Sequence, residues 1–131
     1  RISNISSSAL HFGKEWSNKS TIVGEALIPQ EVRFQDKFHS ISLIWKKDSM
    51  AFYLDNDKEP YFTIDSGHPE FKKYDYPFNR EFYMILNVAV GGKYDDYWVD
   101  YDAFCIDKEC SNKSEPDKHR FIVDWIEYQK L

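Results

Sequence analysis

The fold prediction for this chain depends on the stretch FYMILNVAVGG, residues 82 to 92, a near-continuous apolar run that ends in two glycines. A run of this kind is typical of a central β-strand that packs on both faces. Because side chains alternate along a strand, one face carries only apolar residues, and the other carries Asn87 beside the small Ala89. We therefore predict a strand whose second face forms the floor of a groove.

Asn87 is the one polar residue inside this run, and it allows two interpretations. An unpaired amide inside a protein costs about 1–3 kcal/mol. The side chain therefore either finds hydrogen-bond partners within the protein or offers its amide to a ligand.

The composition limits the classes of function. The chain has 131 residues, enough for one domain at most, and a net charge of −5. No basic stripe is present to neutralise phosphates, which argues against nucleic acid as a partner. No apolar run is long enough to span a bilayer, so no membrane association is predicted. Aromatic residues make up 18% of the chain. They can fill a core, and they can also stack on the apolar faces of sugars.

Two cysteines and three sequons indicate a secreted, extracellular protein. Cys105 and Cys110 lie five residues apart in a polar loop, which favours a local disulfide over two free thiols. Asn-x-Ser sequons occur at Asn4, Asn18 and Asn112, all in sequence rich in Ser and Lys. We predict that these three asparagines carry glycans.

The remaining pattern predicts an all-β protein. Alternating or apolar segments typical of strands cover residues 6–13, 38–45, 50–54, 61–64 and 119–128, with a shorter apolar stretch at 22–28. Residues 14–21 and 65–80 are polar and predict surface loops, and no segment has a convincing helical period. Six or seven strands without a helix indicate an antiparallel sandwich or jelly roll.

Several smaller features leave a functional and a structural interpretation open. Trp16, in the polar segment after the first strand, is either a ligand contact or a lid over the core. The acidic sequence Asp55 to Lys58 lacks the Gly and terminal Glu of a calcium loop, so a hairpin turn is the preferred interpretation. The acidic residues between positions 95 and 102 fit no metal template and indicate a solvated face.

Taken in order, several segments resemble the second half of a family 16 glycoside hydrolase domain, in its laminarinase and β-1,3-glucan-recognition branch. The matching segments are Phe38-His39 with Trp45, Phe52-Tyr53-Leu54-Asp55, Pro77-Phe78 leading into the 86–92 sequence LNVAVGG, and Val123-Asp124-Trp125-Ile126. The resemblance extends from about Leu10 to Tyr128. The order and spacing of the segments make it more specific than any one of them alone.

The resemblance implies a concanavalin-like jelly roll of two curved antiparallel sheets, with the sugar on the concave face. The family's catalytic strand, Glu-x-Asp-x-x-Glu, is not present in this sequence. We therefore expect residues 1–131 to be the C-terminal part of one domain, without catalytic residues of their own and inactive in isolation. A jelly roll without its first strands leaves sheet edges unpaired, so the isolated chain is expected to aggregate or stay partly unfolded.

The resemblance also implies roles for individual residues. His11, followed by Phe12 where the family has another aromatic, matches a cleft-lining histidine, and Asn87 matches a groove-lining asparagine. Trp16 and Trp98 are expected to stack on sugar rings, whereas His39 is expected to be structural and to pack near Trp45. No cofactor is implied as a requirement. A structural calcium is possible through the carboxylate of Asp124, but calcium needs six to eight oxygen ligands.

The function implied for the intact parent is retaining hydrolysis of the O-glycosyl bonds of a β-1,3-glucan, with this half supplying the substrate groove. The alternative is a non-catalytic β-1,3-glucan-binding or recognition protein. A third reading is a lectin-like sandwich without preference for β-glucan. The expected partner in the first two cases is a β-linked glucan polysaccharide, and the complete protein is expected to be a monomer.

Overall fold

The computed structural model describes residues 4–29, 34–55, 58–88 and 121–130. By its internal contacts the chain divides into two units, Arg1–Phe82 and Tyr83–Leu131. The described residues of the first unit form five β-strands in two antiparallel sheets, so the predicted all-β sandwich class is confirmed. No helix in the described ranges is long and apolar enough to cross a membrane.

The first sheet is a hairpin of β1 (Ile5–Glu15) and β2 (Asn18–Leu27). The strands pair from Ile5 with Leu27 to Gly13 with Lys19, and the register shifts between Gly13 and Glu15. The predicted strand at 6–13 is therefore confirmed and longer than expected. The predicted loop at 14–21 is wrong, because the strands are joined by a turn of two residues, Trp16 and Ser17.

The second sheet is a meander of three strands, β3 (Ile41–Trp45), β4 (Ser49–Leu54) and β5 (Phe62–Asp65), in that order. The Lys46 amide donates to the Ser49 carbonyl at 2.8 Å and closes the first turn. Asp55 has a φ of 55°, which agrees with the turn predicted after β4. The sequence placed these three strands to within a few residues.

The two sheets enclose an aromatic core. Its buried members are Leu10, Phe12, Met50, Ile64, Phe71 and Phe78. Gly24 of β2 makes the contact between the sheets close, because a Cβ there would overlap the first two side-chain atoms of Phe62 on β5. The absence of a side chain at this position therefore lets the Phe62 ring pack against the hairpin.

The predicted surface connection at 65–80 is wrong in one respect, because it supplies two of the buried rings. A 3₁₀ helix, Pro69–Lys73, is capped by His68, whose side chain accepts from the Glu70 amide at 3.3 Å. The helix turns Phe71 inward, and its ring lies 4.8 Å from that of Phe12, while Phe78 packs at 6.0 Å from Phe12. A second short 3₁₀ helix spans Phe34–Asp36.

The predicted strands at 82–92 and 119–128 are not found in their described parts. Residues 82–88 and 121–130 are assigned neither helix nor strand, and their side chains are exposed, Tyr83 to 97%. Residues 89–92, 119 and 120 lie outside the described ranges. An apolar run shows what a segment is able to bury, but a strand also needs a neighbouring backbone to pair with. The sequence-based prediction assumed such a neighbour.

Candidate functional site

The outward face of the β1–β2 hairpin carries two of the predicted sugar-binding residues. Leu10 and Phe12 point into the core, so the alternation of β1 places His11 on the opposite, solvent-facing side. His11 lies opposite Thr21 on β2, and its Nδ1 is 2.9 Å from the Thr21 hydroxyl. The imidazole is thereby oriented by its neighbour and remains open to solvent.

Trp16 forms the tip of the same hairpin. Its side chain is 85% exposed, which removes the interpretation of a lid over the core. The Nζ of Lys19 lies 3.5 Å from the centroid of the indole ring. An exposed ring held in one place beside a polar strand face is an arrangement able to stack on a pyranose and hydrogen-bond its hydroxyls.

The hairpin tip is fixed to the 3₁₀ helix region. The Tyr74 hydroxyl donates to the Asn18 side-chain oxygen, and the Ser20 hydroxyl donates to a Glu70 carboxylate oxygen at 2.9 Å. The sequence-based prediction missed Lys19 and these two contacts. The contact of Lys19 with Trp16 could have been predicted from the sequence, because the lysine follows the tryptophan by three residues. The contacts with Glu70 and Tyr74 could not, because they depend on the fold.

The binding roles predicted for Asn87 and Trp98 stay predictions. Asn87 belongs to the second unit, and its side chain is exposed. Trp98 lies outside the described residues, as do Cys105, Cys110 and Asn112. Their predicted roles stay predictions.

The three sequons differ in their surroundings. Asn18 is exposed at the start of β2. Asn4 is 6% exposed, and its Nδ2, the atom that would carry a glycan, donates to the Ile28 carbonyl at 2.8 Å. The Ile28 amide in turn donates to the Asn4 carbonyl at 3.0 Å. In this fold Asn4 therefore ties the two ends of the hairpin together, and glycosylation of the three sequons stays a prediction.

The described residues do not provide a calcium site around Asp124. Asp124 is exposed, and no group of three or more His, Cys, Asp or Glu side chains in the described ranges could hold a metal ion. Calcium requires six to eight oxygen ligands. The structural calcium at Asp124 stays a prediction.

A second polar cluster joins the start of β3 to the end of β4. The Nδ1 of His39 donates to Asp55 Oδ2 at 2.6 Å, and the Ser40 amide donates to Asp55 Oδ1 at 3.0 Å. The His39 ring lies 4.5 Å from that of Phe34, and Nε2 is buried without a hydrogen-bond partner among the described residues. His39 therefore makes structural contacts. It contacts Asp55 and Phe34, whereas the sequence predicted a contact with Trp45.

The environment of Asp55 favours its charged form. Burial is the largest single effect and acts to raise the pKa of the carboxyl. The hydrogen bonds from His39 and Ser40, together with the charges of His39 and Lys37, outweigh it and hold the pKa below its ordinary value of 3.8. Lys37 Nζ lies 3.9 Å from Asp55 Oδ2. The ionised Asp55 carboxylate thus joins the end of β4 to the residues that precede β3.

We expect Asp55→Asn to lower the free energy of unfolding by about 1 kcal/mol near neutral pH, because two hydrogen bonds lose their charged acceptor. Since folding lowers the Asp55 pKa, the stabilisation is complete above 3.8 and is lost as the pH falls through the lower value of the folded state. Urea titrations of the wild type and the variant at pH 7 and in the acid range measure the difference. The exposed Glu59→Gln is the control. A stability difference that stays constant on acidification would contradict a stabilising role of the charged Asp55.

Comparison with known proteins finds three curated proteins that are similar in sequence to this chain. A protein named glucan endo-1,3-beta-glucosidase A1, from Niallia circulans, is 28% identical over 102 residues, which cover 72% of this chain and 14% of the relative. A glucan endo-1,3-beta-glucosidase from Cryptopygus antarcticus is 33% identical over 88 residues, covering 65% of this chain and 32% of the relative. A beta-1,3-glucan-binding protein from Penaeus monodon is 39% identical over 77 residues, covering 45% of this chain and 20% of the relative.

The chain spans less than a third of the length of each of these relatives. No family model matches the chain. No solved structure gives a significant match. The chain is therefore similar to part of each of three longer proteins, two named glucan endo-1,3-beta-glucosidases and one named a beta-1,3-glucan-binding protein.

Proposed function

We propose that this chain forms the substrate-groove part of a secreted endo-β-1,3-glucanase of glycoside hydrolase family 16, and that it binds β-1,3-glucan on the outward face of the β1–β2 hairpin. The observation that carries the proposal is the exposed pair of Trp16 and His11 on one hairpin, in a chain whose relatives are named for β-1,3-glucan. The indole stacks on the apolar face of a sugar ring. The His11 imidazole and Thr21 hydroxyl meet the sugar hydroxyls.

The parent protein is proposed to hydrolyse the glucan with retention of configuration. Two carboxylates about 5–5.5 Å apart act in turn in that reaction, one attacking the anomeric carbon and the other protonating the leaving oxygen. This chain contains no Glu-x-Asp-x-x-Glu sequence to supply them. In the proposal the chain's own residues bind and orient the glucan, and the carboxylates come from elsewhere in the parent.

A non-catalytic glucan-binding protein is the second candidate function. It is favoured by the similarity to the binding protein from Penaeus monodon, which has the highest identity of the three relatives, 39%. The two candidates differ upstream of Arg1. A Glu-x-Asp-x-x-Glu strand encoded there, together with release of reducing ends from a soluble β-1,3-glucan, would support the hydrolase. The same sandwich without these acids, and binding without hydrolysis, would support the binding protein.

Trp16→Ala is expected to weaken the affinity for a soluble β-1,3-glucan about five- to tenfold, the factor that the loss of one aromatic stacking contact produces. Isothermal titration calorimetry on the full-length protein that carries this chain measures the change. Phe38→Ala is the matched control, since Phe38 is also an exposed aromatic residue and lies outside the hairpin. Unchanged affinity in Trp16→Ala would remove the hairpin tip from the site.

A further inference from the structure

One face of the Trp16 indole is occupied by Lys19. The Lys19 Nζ lies 3.5 Å from the ring centroid, and no other residue of the described ranges makes a ring contact with Trp16. A cation above an aromatic face is attracted by the negative charge of the π system. Lys19 is therefore the contact that fixes the orientation of an otherwise exposed ring, and it leaves the opposite face open.

The fold holds Lys19 in this position through its neighbours in β2. The side chains of Asn18 and Ser20 are bonded to Tyr74 and Glu70. Because successive side chains of a strand point to opposite sides, the Lys19 side chain lies on the face opposite to that contact, where its Nζ meets the Trp16 ring. Lys19 is thus placed by the docking of β2 on the 3₁₀ helix region.

The opposite strand approaches the backbone of Lys19 closely. Lys19 pairs with Gly13 of β1, and a Cβ on Gly13 would come within 2.6 Å of the Lys19 Cα. The lack of a side chain at position 13 allows this close approach. The register shifts after this pair, between Gly13 and Glu15, and the turn of Trp16 and Ser17 follows.

We infer that Lys19 is a positioning residue for glucan binding: it holds the Trp16 indole in its bound orientation, so that a neutral sugar ring stacks on the one open face. The inference rests on the proposed glucan site at the hairpin tip. An exposed tryptophan that rotates freely loses this freedom when a ligand binds, and this loss weakens affinity. A ring that Lys19 already holds does not lose rotational freedom when the ligand binds.

The experiment compares Lys19→Met, Lys19→Arg and Lys14→Met in the full-length protein. Methionine keeps an unbranched apolar side chain and removes the charge, and arginine keeps the cation. Lys14 is an exposed lysine of the same hairpin. Nitrogen-15 relaxation of the indole N–H reports the order of the Trp16 ring, and its signal is assigned by its loss in Trp16→Phe. Calorimetry with a soluble β-1,3-glucan reports affinity.

We expect Lys19→Met to lower the order of the Trp16 indole and to weaken glucan binding about two- to fivefold, the factor that corresponds to an exposed cation–π contact. Lys19→Arg is expected to restore both quantities, and Lys14→Met to change neither. Unchanged indole order in Lys19→Met would overturn the inference, and so would lowered order with unchanged affinity.

Different outcomes would contradict the proposed function itself. If the wild type does not bind β-1,3-glucan, or if Trp16→Ala binds it as the wild type does, the glucan site at the hairpin tip is overturned, and the role of Lys19 in glucan binding with it. The indole order in Lys19→Met then decides separately whether Lys19 holds the ring.

Discussion

Phe12→Ala is expected to lower the free energy of unfolding by about 3–5 kcal/mol, the range found when a buried phenylalanine is truncated to alanine. Phe12 lies on the inner face of β1 and is 6% exposed. Its ring has neighbours at centroid distances of 4.8 Å for Phe71, 6.0 Å for Tyr74 and 6.0 Å for Phe78. Truncation would leave a cavity among three rings that cannot all move into it.

The loss at Phe12 is measured by urea or thermal unfolding of the full-length protein. Phe38→Ala is the matched control, because Phe38 is 65% exposed and its truncation is expected to change stability by no more than about 0.5 kcal/mol. Similar losses for both variants would contradict the assignment of the core to the Phe12 cluster. Because Tyr74 also bonds Asn18, we expect the hairpin tip to lose order in Phe12→Ala as well.

Gly13→Ala is the second substitution with a large expected effect. Gly13 has a φ of 150°, a conformation that residues with a side chain rarely adopt. A Cβ would overlap the Asn18 carbonyl oxygen and lie 2.6 Å from the Lys19 Cα. Both are backbone atoms of the facing strand and cannot rotate away. We expect a loss of at least about 1–3 kcal/mol, the usual cost of overpacking, with backbone strain added.

Gly67→Ala is the control for Gly13→Ala. A Cβ on Gly67 would meet only the Asp65 Oδ1 at 2.9 Å, and this atom is the end of a side chain that is able to shift. Denaturant unfolding gives the stability difference, and backbone amide chemical shifts show where the structure changes. We expect the changes in Gly13→Ala to be concentrated between residues 13 and 19. Equal stability of the two alanine variants would show that the hairpin tip adapts without strain.

The meander of β3, β4 and β5 could be predicted from the sequence because its signals are local. Met50 and Leu54 alternate with less buried residues along β4, and Asp55 begins a turn suited to positive φ. Strand and turn are both specified within a few residues. The exposure of Trp16 could be predicted for the same reason, because no apolar neighbour in sequence accompanies it.

The same local reasoning was wrong where burial depends on distant contacts. Phe71 and Phe78 lie in sequence rich in Lys, Asp and Pro, yet they complete the core around Phe12. The apolar run at 82–88 and the segment at 121–130 were predicted as strands, and their described residues pair with no neighbour. Apolar content is a property of the segment, whereas burial is a property of the whole arrangement.

The sequence by itself determined the all-β class, the meander and the strand that carries His11, because alternation and turn residues act over short separations. Only the tertiary structure decided that Asn4 closes the hairpin, that His39 and Asp55 join two strands, and that Lys19 covers one face of Trp16. The first two contacts join residues 24 and 16 positions apart. The third lies within one hairpin but depends on contacts of β2 with residues 70 and 74. Such contacts follow from chain topology and side-chain direction, which no single stretch of sequence specifies.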